Sequence, residues 1–171
     1  EFCLPRLNDT VKLVRVMAAY VGAALPPEMV PGNYKDLLQK RIAEYESTLE
    51  INKDHPNTHM NYGNLALKLG DLTKAESSYR EALKIEPGLV APYINLADLY
   101  RRLSRDEEGE EFLKTALNRY PDMAAIHYSL GLLYVRQKQN EQAVEYLKNA
   151  AQLEPENAQY SYVYALGLNS T

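Results

Sequence analysis

Large apolar residues return every three or four positions along most of this chain, the spacing of one face of an α-helix. The pattern falls into blocks separated by proline, glycine and short polar runs. Residues 1–8 read as an irregular lead-in. From Asp9 to Leu25 the apolar positions are Val11, Val14, Ala18, Val21 and Leu25, and Asp9 and Thr10 offer side-chain oxygens to first-turn amides. Pro26-Pro27 and Pro31-Gly32-Asn33 bracket a turn. A second helix is expected over Asn33–Asn52, with Leu37, Leu38, Ile42, Tyr45, Leu49 and Ile51 as its apolar positions.

From Pro56 onward the blocks repeat. Pro87, Pro121 and Pro155 recur every 34 residues, each after a short helical run. Small residues keep the same phase: Ala82, Ala116 and Ala150 in one column, Ala75, Gly109 and Ala143 in another, Gly63, Ala97 and Gly131 in a third. Larger residues form two more columns, Ala66, Tyr100 and Tyr134, then Tyr62, Leu96 and Leu130. Small side chains are needed where two helices approach closely, and large ones fill the groove opposite. The expected turns are Gly70-Asp71, Ser104-Arg105 and Gln139-Asn140. Thr73 and Glu76 have capping-box spacing. The acidic run Asp106 to Glu111 opens a helix, where the backbone dipole favours carboxylates, so a solvated helix start is preferred to a metal or basic-partner site. One period before Pro87 lies Lys53, so the Asn33–Asn52 helix sits in the frame of a second helix of a repeat, with Arg41 and Thr48 in the small-residue columns. Tyr160 to Leu168 matches the first helix of a fourth repeat.

The pattern resembles the tetratricopeptide repeat, a helix–turn–helix whose core runs large-x2-Leu-Gly-x2-Tyr, Ala-x3-aromatic-x2-Ala, Pro. The copies here read His59, Tyr62, Gly63, Ala66, Ala75, Tyr79, Ala82, Pro87; then Tyr93, Leu96, Ala97, Tyr100, Gly109, Leu113, Ala116, Pro121; then His127, Leu130, Gly131, Tyr134, Ala143, Leu147, Ala150, Pro155. The usual tryptophan is replaced by His59, Tyr93 and His127. The resemblance implies an all-α, right-handed solenoid of antiparallel helix pairs with about nine helices. Residues 1–55 are expected to form a helical cap, a helix weakly similar to the inner helix of a HEAT repeat plus a degenerate half repeat. Residues 56–171 are expected to hold three units and the first helix of a fourth. This order is also similar to the C-terminal part of some exported bacterial multihaem cytochrome-type proteins, which would make the chain a periplasmic docking module without haem of its own.

The resemblance further implies that the first helix of each repeat lines a concave groove. Carried over, this gives Asn57, Met60, Asn61, Asn64, Leu67 and Lys68, then Ala91, Ile94, Asn95, Asp98, Arg101 and Arg102, then Ala125, Tyr128, Ser129, Leu132, Val135 and Arg136, with Gln159, Tyr162 and Val163 in the tail. Lys68, Arg102 and Arg136 form a basic row, and Asn61, Asn64 and Asn95 can both donate to and accept from an extended backbone. The row either meets carboxylates of a ligand or is simply solvated. Domains of this family that clamp a chaperone's C-terminal carboxylate match at Asn64 and Asn95, but Met60, Ala125 and Ser129 stand where their cations would be, so chaperone-tail recognition is not expected.

Composition narrows the function. Net charge is −4, from 19 basic and 23 acidic residues, which disfavours binding to a nucleic-acid duplex. No run of 18 apolar residues exists to insert into a membrane. Cys3 is the one cysteine and pairs with nothing internal. The chain opens on Glu1 rather than methionine and reads as a fragment, with Glu1-Phe2 left from cloning, so its compartment, cytoplasmic or periplasmic, stays open. His55-x3-His59 has metal-pair spacing, but Pro56 is the expected first helical residue, leaving His55 outside, and no third ligand accompanies the pair. His59 and His127 share a helix-packing column. No phosphate loop, nucleophile elbow or haem attachment motif is present, so no cofactor and no enzyme are expected. The reading is a protein-interaction scaffold that holds an extended peptide or partner helix, partly apolar and acidic, in its groove. The alternative is a self-association module working through the apolar Tyr160–Leu168 helix.

Overall fold

The computed structural model describes residues 3–169; the cloning-remnant reading of Glu1-Phe2 lies outside them. Among the described residues there are nine α-helices, two short 3-10 helices and no strand. They divide into two compact units, one ending at Pro87 and the other beginning at Gly88.

The first unit opens on a 3-10 helix, Leu4–Asn8, where an irregular lead-in was expected. Leu4 and Leu7 are buried against Ala18, Ala19, Val30 and Leu38. A 3-10 turn brings residues three apart onto one face, which is how both leucines reach the same core. Helix α1 spans Lys12–Gly22 and bears out part of the expected face: Ala18 is buried and Leu25 packs on the core, but Val16, Ala19 and Gly22 join them in burial while Val11, Val14 and Val21 are exposed. Both sets have helical spacing. Close approach decides between them, since a Cβ on Gly22 would stand 2.9 Å from Leu38. Asp9 does not cap α1; its Oδ1 accepts the Val11 amide at 2.9 Å in the turn ahead of it.

Helix α2 spans Gly32–Glu50 and buries Leu38 and Leu49; Ile51 lies past its end and is exposed. Arg41, in a small-residue column, donates Nε to the Leu7 carbonyl at 2.9 Å and reaches Glu44 at 2.9 Å. Arg15 of α1 reaches the same carboxylate at 3.0 Å. The Arg15 hydrogen bond first, then Arg41, holds the Glu44 carboxyl at about 2. Helices α3 (Pro56–Leu69) and α4 (Leu72–Ile85) form the first full hairpin. A Cβ on Gly63 would lie 2.3 Å from the Tyr79 ring, so only glycine admits that ring between the helices. The cap of α4 is Asp71, which accepts the Lys74 amide at 2.9 Å, in place of the expected Thr73–Glu76 box.

The second unit holds α5 (Val90–Arg102), α6 (Asp106–Arg119), α7 (Ala124–Arg136), α8 (Asn140–Leu153) and α9 (Ala158–Leu168). Gly131 admits Leu147 as Gly63 admits Tyr79, with a Cβ there 2.6 Å from the leucine. Ala82, Ala116 and Ala150 are all buried. The acidic run does open α6, and Glu110 also accepts from the Tyr134 hydroxyl of α7 at 2.8 Å.

The turns share one device. Gly70, Ser104 and Lys138 each take the left-handed conformation, with φ of 77°, 55° and 60°. The next amide in each case, at Asp71, Arg105 and Gln139, reaches back to the carbonyl of Ala66, Tyr100 or Tyr134 at 2.9 Å. The third turn therefore sits at Lys138-Gln139, one residue before the expected Gln139-Asn140.

Candidate functional site

In the first unit the expected groove residues scatter in exposure. Asn57 and Asn61 are exposed, while Met60 is buried and belongs to the core of its hairpin. Asn64 accepts the Tyr79 hydroxyl at 2.8 Å, so its side chain is already engaged. The Lys68 ammonium lies 4.7 Å above the Tyr20 ring.

In the second unit they converge. Ile94, Asn95 and Asp98 of α5 and Tyr128, Ser129, Leu132 and Arg136 of α7 line one cavity of about 340 Å³, together with Ala97, Arg101, Leu113 and Leu133. Leu113 and Leu133 are almost fully buried beneath it. Ile94 and Leu132 give an apolar wall, Ile94 being 40% exposed. Ser129, expected on the groove surface, is buried, as is Ala125. Tyr128 is held from α9: its hydroxyl accepts from Gln159 at 2.9 Å and its ring packs on Tyr160 at 4.7 Å.

Charge at this cavity is organised in pairs. Asp98 accepts from Arg101 at 2.9 Å and from Arg102 at 2.7 Å. Burial pushes the Asp98 carboxyl up, but the two arginines outweigh it and leave it below the usual aspartate range. Arg136 reaches Asp106 of α6 at 2.7 Å. The basic row drawn from the sequence is thus not made of unpartnered cations: Lys68 has an aromatic face, Arg102 and Arg136 have carboxylates. Arg102 does not line the cavity; its neighbour Arg101 does. The Arg136–Asp106 pair crosses helices and left no mark in the periodicity. Ala97 did leave one, as the departure from glycine in its column. Where Gly63 and Gly131 admit the Tyr79 ring and Leu147, Ala97 carries a Cβ and lines the cavity together with Leu113.

The histidines are structural. His55 is the N-cap of α3, its Nδ1 accepting the Asn57 amide at 3.2 Å. His59 and His127 each place Nε2 2.8 Å from the carbonyl six residues earlier, Lys53 and Pro121. Among the described residues no group of three or more histidine, cysteine, aspartate or glutamate side chains could hold a metal ion. No helix among them is long and apolar enough to cross a membrane. Helix α9 buries Tyr160 and exposes Tyr162, Leu166 and Leu168. A second, apolar cavity of about 220 Å³ lies between it and α7–α8, lined by Leu132, Val135, Val144, Val163 and Leu166.

A family model, that of the middle TPR-like domain of cilia and flagella-associated protein 70, matches residues 35–154. Comparison with curated proteins finds no significant match. Among solved structures, a thermophilic TPR protein of Thermus thermophilus is 19% identical, covering 98% of this chain and 97% of that one with a TM-score of 0.62. The TPR domain of Arabidopsis OM64 is 19% identical over 69% of this chain and 98% of its own, at 0.57. MamA from Desulfovibrio magneticus is 18% identical over 89% and 83%, at 0.53. At these identities the likeness is one of fold: the paired helices of tetratricopeptide proteins.

Proposed function

The chain belongs to the family of the middle TPR-like domain of cilia and flagella-associated protein 70, and from that premise we propose that it is a non-enzymatic protein-interaction module whose partner docks in the α5–α7 cavity. One observation carries this: eight of the twelve groove residues implied for α5 and α7, Ile94, Asn95, Asp98, Arg101, Tyr128, Ser129, Leu132 and Arg136, line a single cavity with an apolar floor and a charged rim. Of the charged side chains that line the cavity, Arg101 and Arg136 outnumber Asp98, so its rim carries a surplus of positive charge in an otherwise acidic chain. An extended segment that pairs an aliphatic side chain with a nearby glutamate or aspartate fits: the aliphatic group displaces water over Leu113, and the carboxylate competes with Asp98 for an arginine.

The test is fluorescence anisotropy with labelled peptides alternating leucine and glutamate. Saturable binding should weaken at least tenfold in Arg101→Glu/Arg136→Glu, with oligomeric state unchanged. Equal binding by parent and variant would sink the reading. The self-association alternative is favoured by the exposed Tyr162, Leu166 and Leu168 beside the apolar α7–α9 cavity. It predicts a concentration-dependent dimer in sedimentation that Tyr162→Glu/Leu166→Glu abolishes and the arginine changes leave intact.

A further inference from the structure

We propose a second binding site, in the first unit: a cleft that takes an aliphatic chain ending in a carboxylate. The cleft lies between the end of α1, the Pro26–Val30 turn, α2 and the end of α3, with a volume of about 290 Å³. That is room for about ten waters at roughly 30 Å³ each. Its walls are aliphatic, from Leu25, Val30, Leu38, Ile42 and Leu69, and among the described residues no aromatic ring lines it. A planar ligand therefore has nothing to stack on. Most of the wall is helical, with its amides and carbonyls already paired, so an extended peptide has no free backbone row to join.

The polar lining decides the ligand's charge. Among the described residues it consists of the side chains of Lys35, Gln39 and Lys68, with no carboxylate and no hydroxyl. A lysine ammonium can only donate. Lys35 and Gln39 hold no hydrogen bond or ion pair among the described residues, and Lys68 leans on the Tyr20 ring rather than on an anion. A chain whose head accepts from two ammonium groups, and whose remainder is wanted by aliphatic walls, is an alkyl carboxylate. The site shares no residue with the α5–α7 cavity, so it does not depend on the peptide reading.

Isothermal titration of the whole chain with octanoate, decanoate and dodecanoate, each below its micelle concentration, tests the assignment. The expected result is one saturable site that tightens about fourfold per added methylene, does not take decylamine, and weakens at least tenfold in Lys35→Glu and in Leu69→Glu. Both positions are exposed, Leu69 at 48%, so circular dichroism should show both variants folded. The assignment is overturned if the three acids bind alike or not at all, if the amine matches the acid, or if the variants bind as the parent does. Binding of a leucine–glutamate peptide at this cleft but of none of the acids would also overturn it and give the cleft to a protein partner.

Discussion

A single hydrogen in place of a methyl group separates Gly63 and Gly131 from alanine, and the space for that methyl is already filled. With a Cβ at 2.3 Å from the Tyr79 ring or 2.6 Å from Leu147, either helix or ring must move. Gly63→Ala and Gly131→Ala should each cost about 1–3 kcal/mol of stability, seen as a lower urea midpoint at unchanged slope. The converse change, Ala97→Gly, should let α6 settle toward α5 and narrow the cavity over Leu113. Its signature is weaker peptide binding, alongside a separate loss of roughly 1 kcal/mol of folding stability from helix propensity. Glu44 gives a pH prediction. Its carboxyl sits at about 2 in the folded chain against 4.5 when unperturbed, held down by Arg15 first and by Arg41. A lowered folded value means stabilisation that is whole above 4.5 and is lost as pH falls towards 2. Acid unfolding of Glu44→Gln should lack that part of the dependence; an acid limb identical to the parent's would refute the role.

At the scale of elements, the hairpin turns carry a graded strain. All three need a left-handed residue, yet only the first has glycine; Ser104 and Lys138 hold φ of 55° and 60° with a side chain attached. Ser104→Gly and Lys138→Gly should each gain up to about 1 kcal/mol, since relief of the left-handed penalty exceeds the added freedom of the unfolded chain. Gly70→Ala should lose a similar amount, and thermal melts of the three variants check the set. Helix α9 buries only Tyr160, so its amides should exchange with solvent fastest among the described α-helices. Hydrogen exchange that protects α9 as well as α8 would contradict this. The small-residue columns and the first two turns were legible in the sequence because they answer to close approach and to backbone sign; the third, at Lys138-Gln139, was placed one residue late, with Lys138 rather than glycine in its left-handed position. The face of α1 was not legible: Val11, Val14 and Val21 keep the same period as the buried Val16, Ala19 and Ala23, and only the tight contact of Gly22 with Leu38 tells the two apart. The 3-10 helix at Leu4–Asn8 escaped for a related reason, being too short to show a period.

For the molecule as a whole, repeat phase located the helices well but said little about charge. Which cation meets which anion depends on reach across helices, as with Arg136 and Asp106 or Arg15 and Glu44, and no spacing along the chain encodes it. Most of the remaining ion pairs are exposed neighbours on one helix, such as Arg80–Glu76 and Lys114–Glu110. Such pairs are each worth a few tenths of a kcal/mol. Raising salt to about 1 M should therefore leave the urea midpoint nearly unchanged. A large drop would mean that the inter-helix pairs matter more than their exposure suggests. Each compact unit also contains one histidine tethered to the carbonyl six residues before it, through His59 and through His127. A carbonyl oxygen only accepts, so Nε2 must carry the hydrogen. In these two repeats the position usually given to tryptophan is thus defined less by bulk than by a ring-borne proton, and an indole N–H would inherit the tether where a phenyl ring, however snug, would let go.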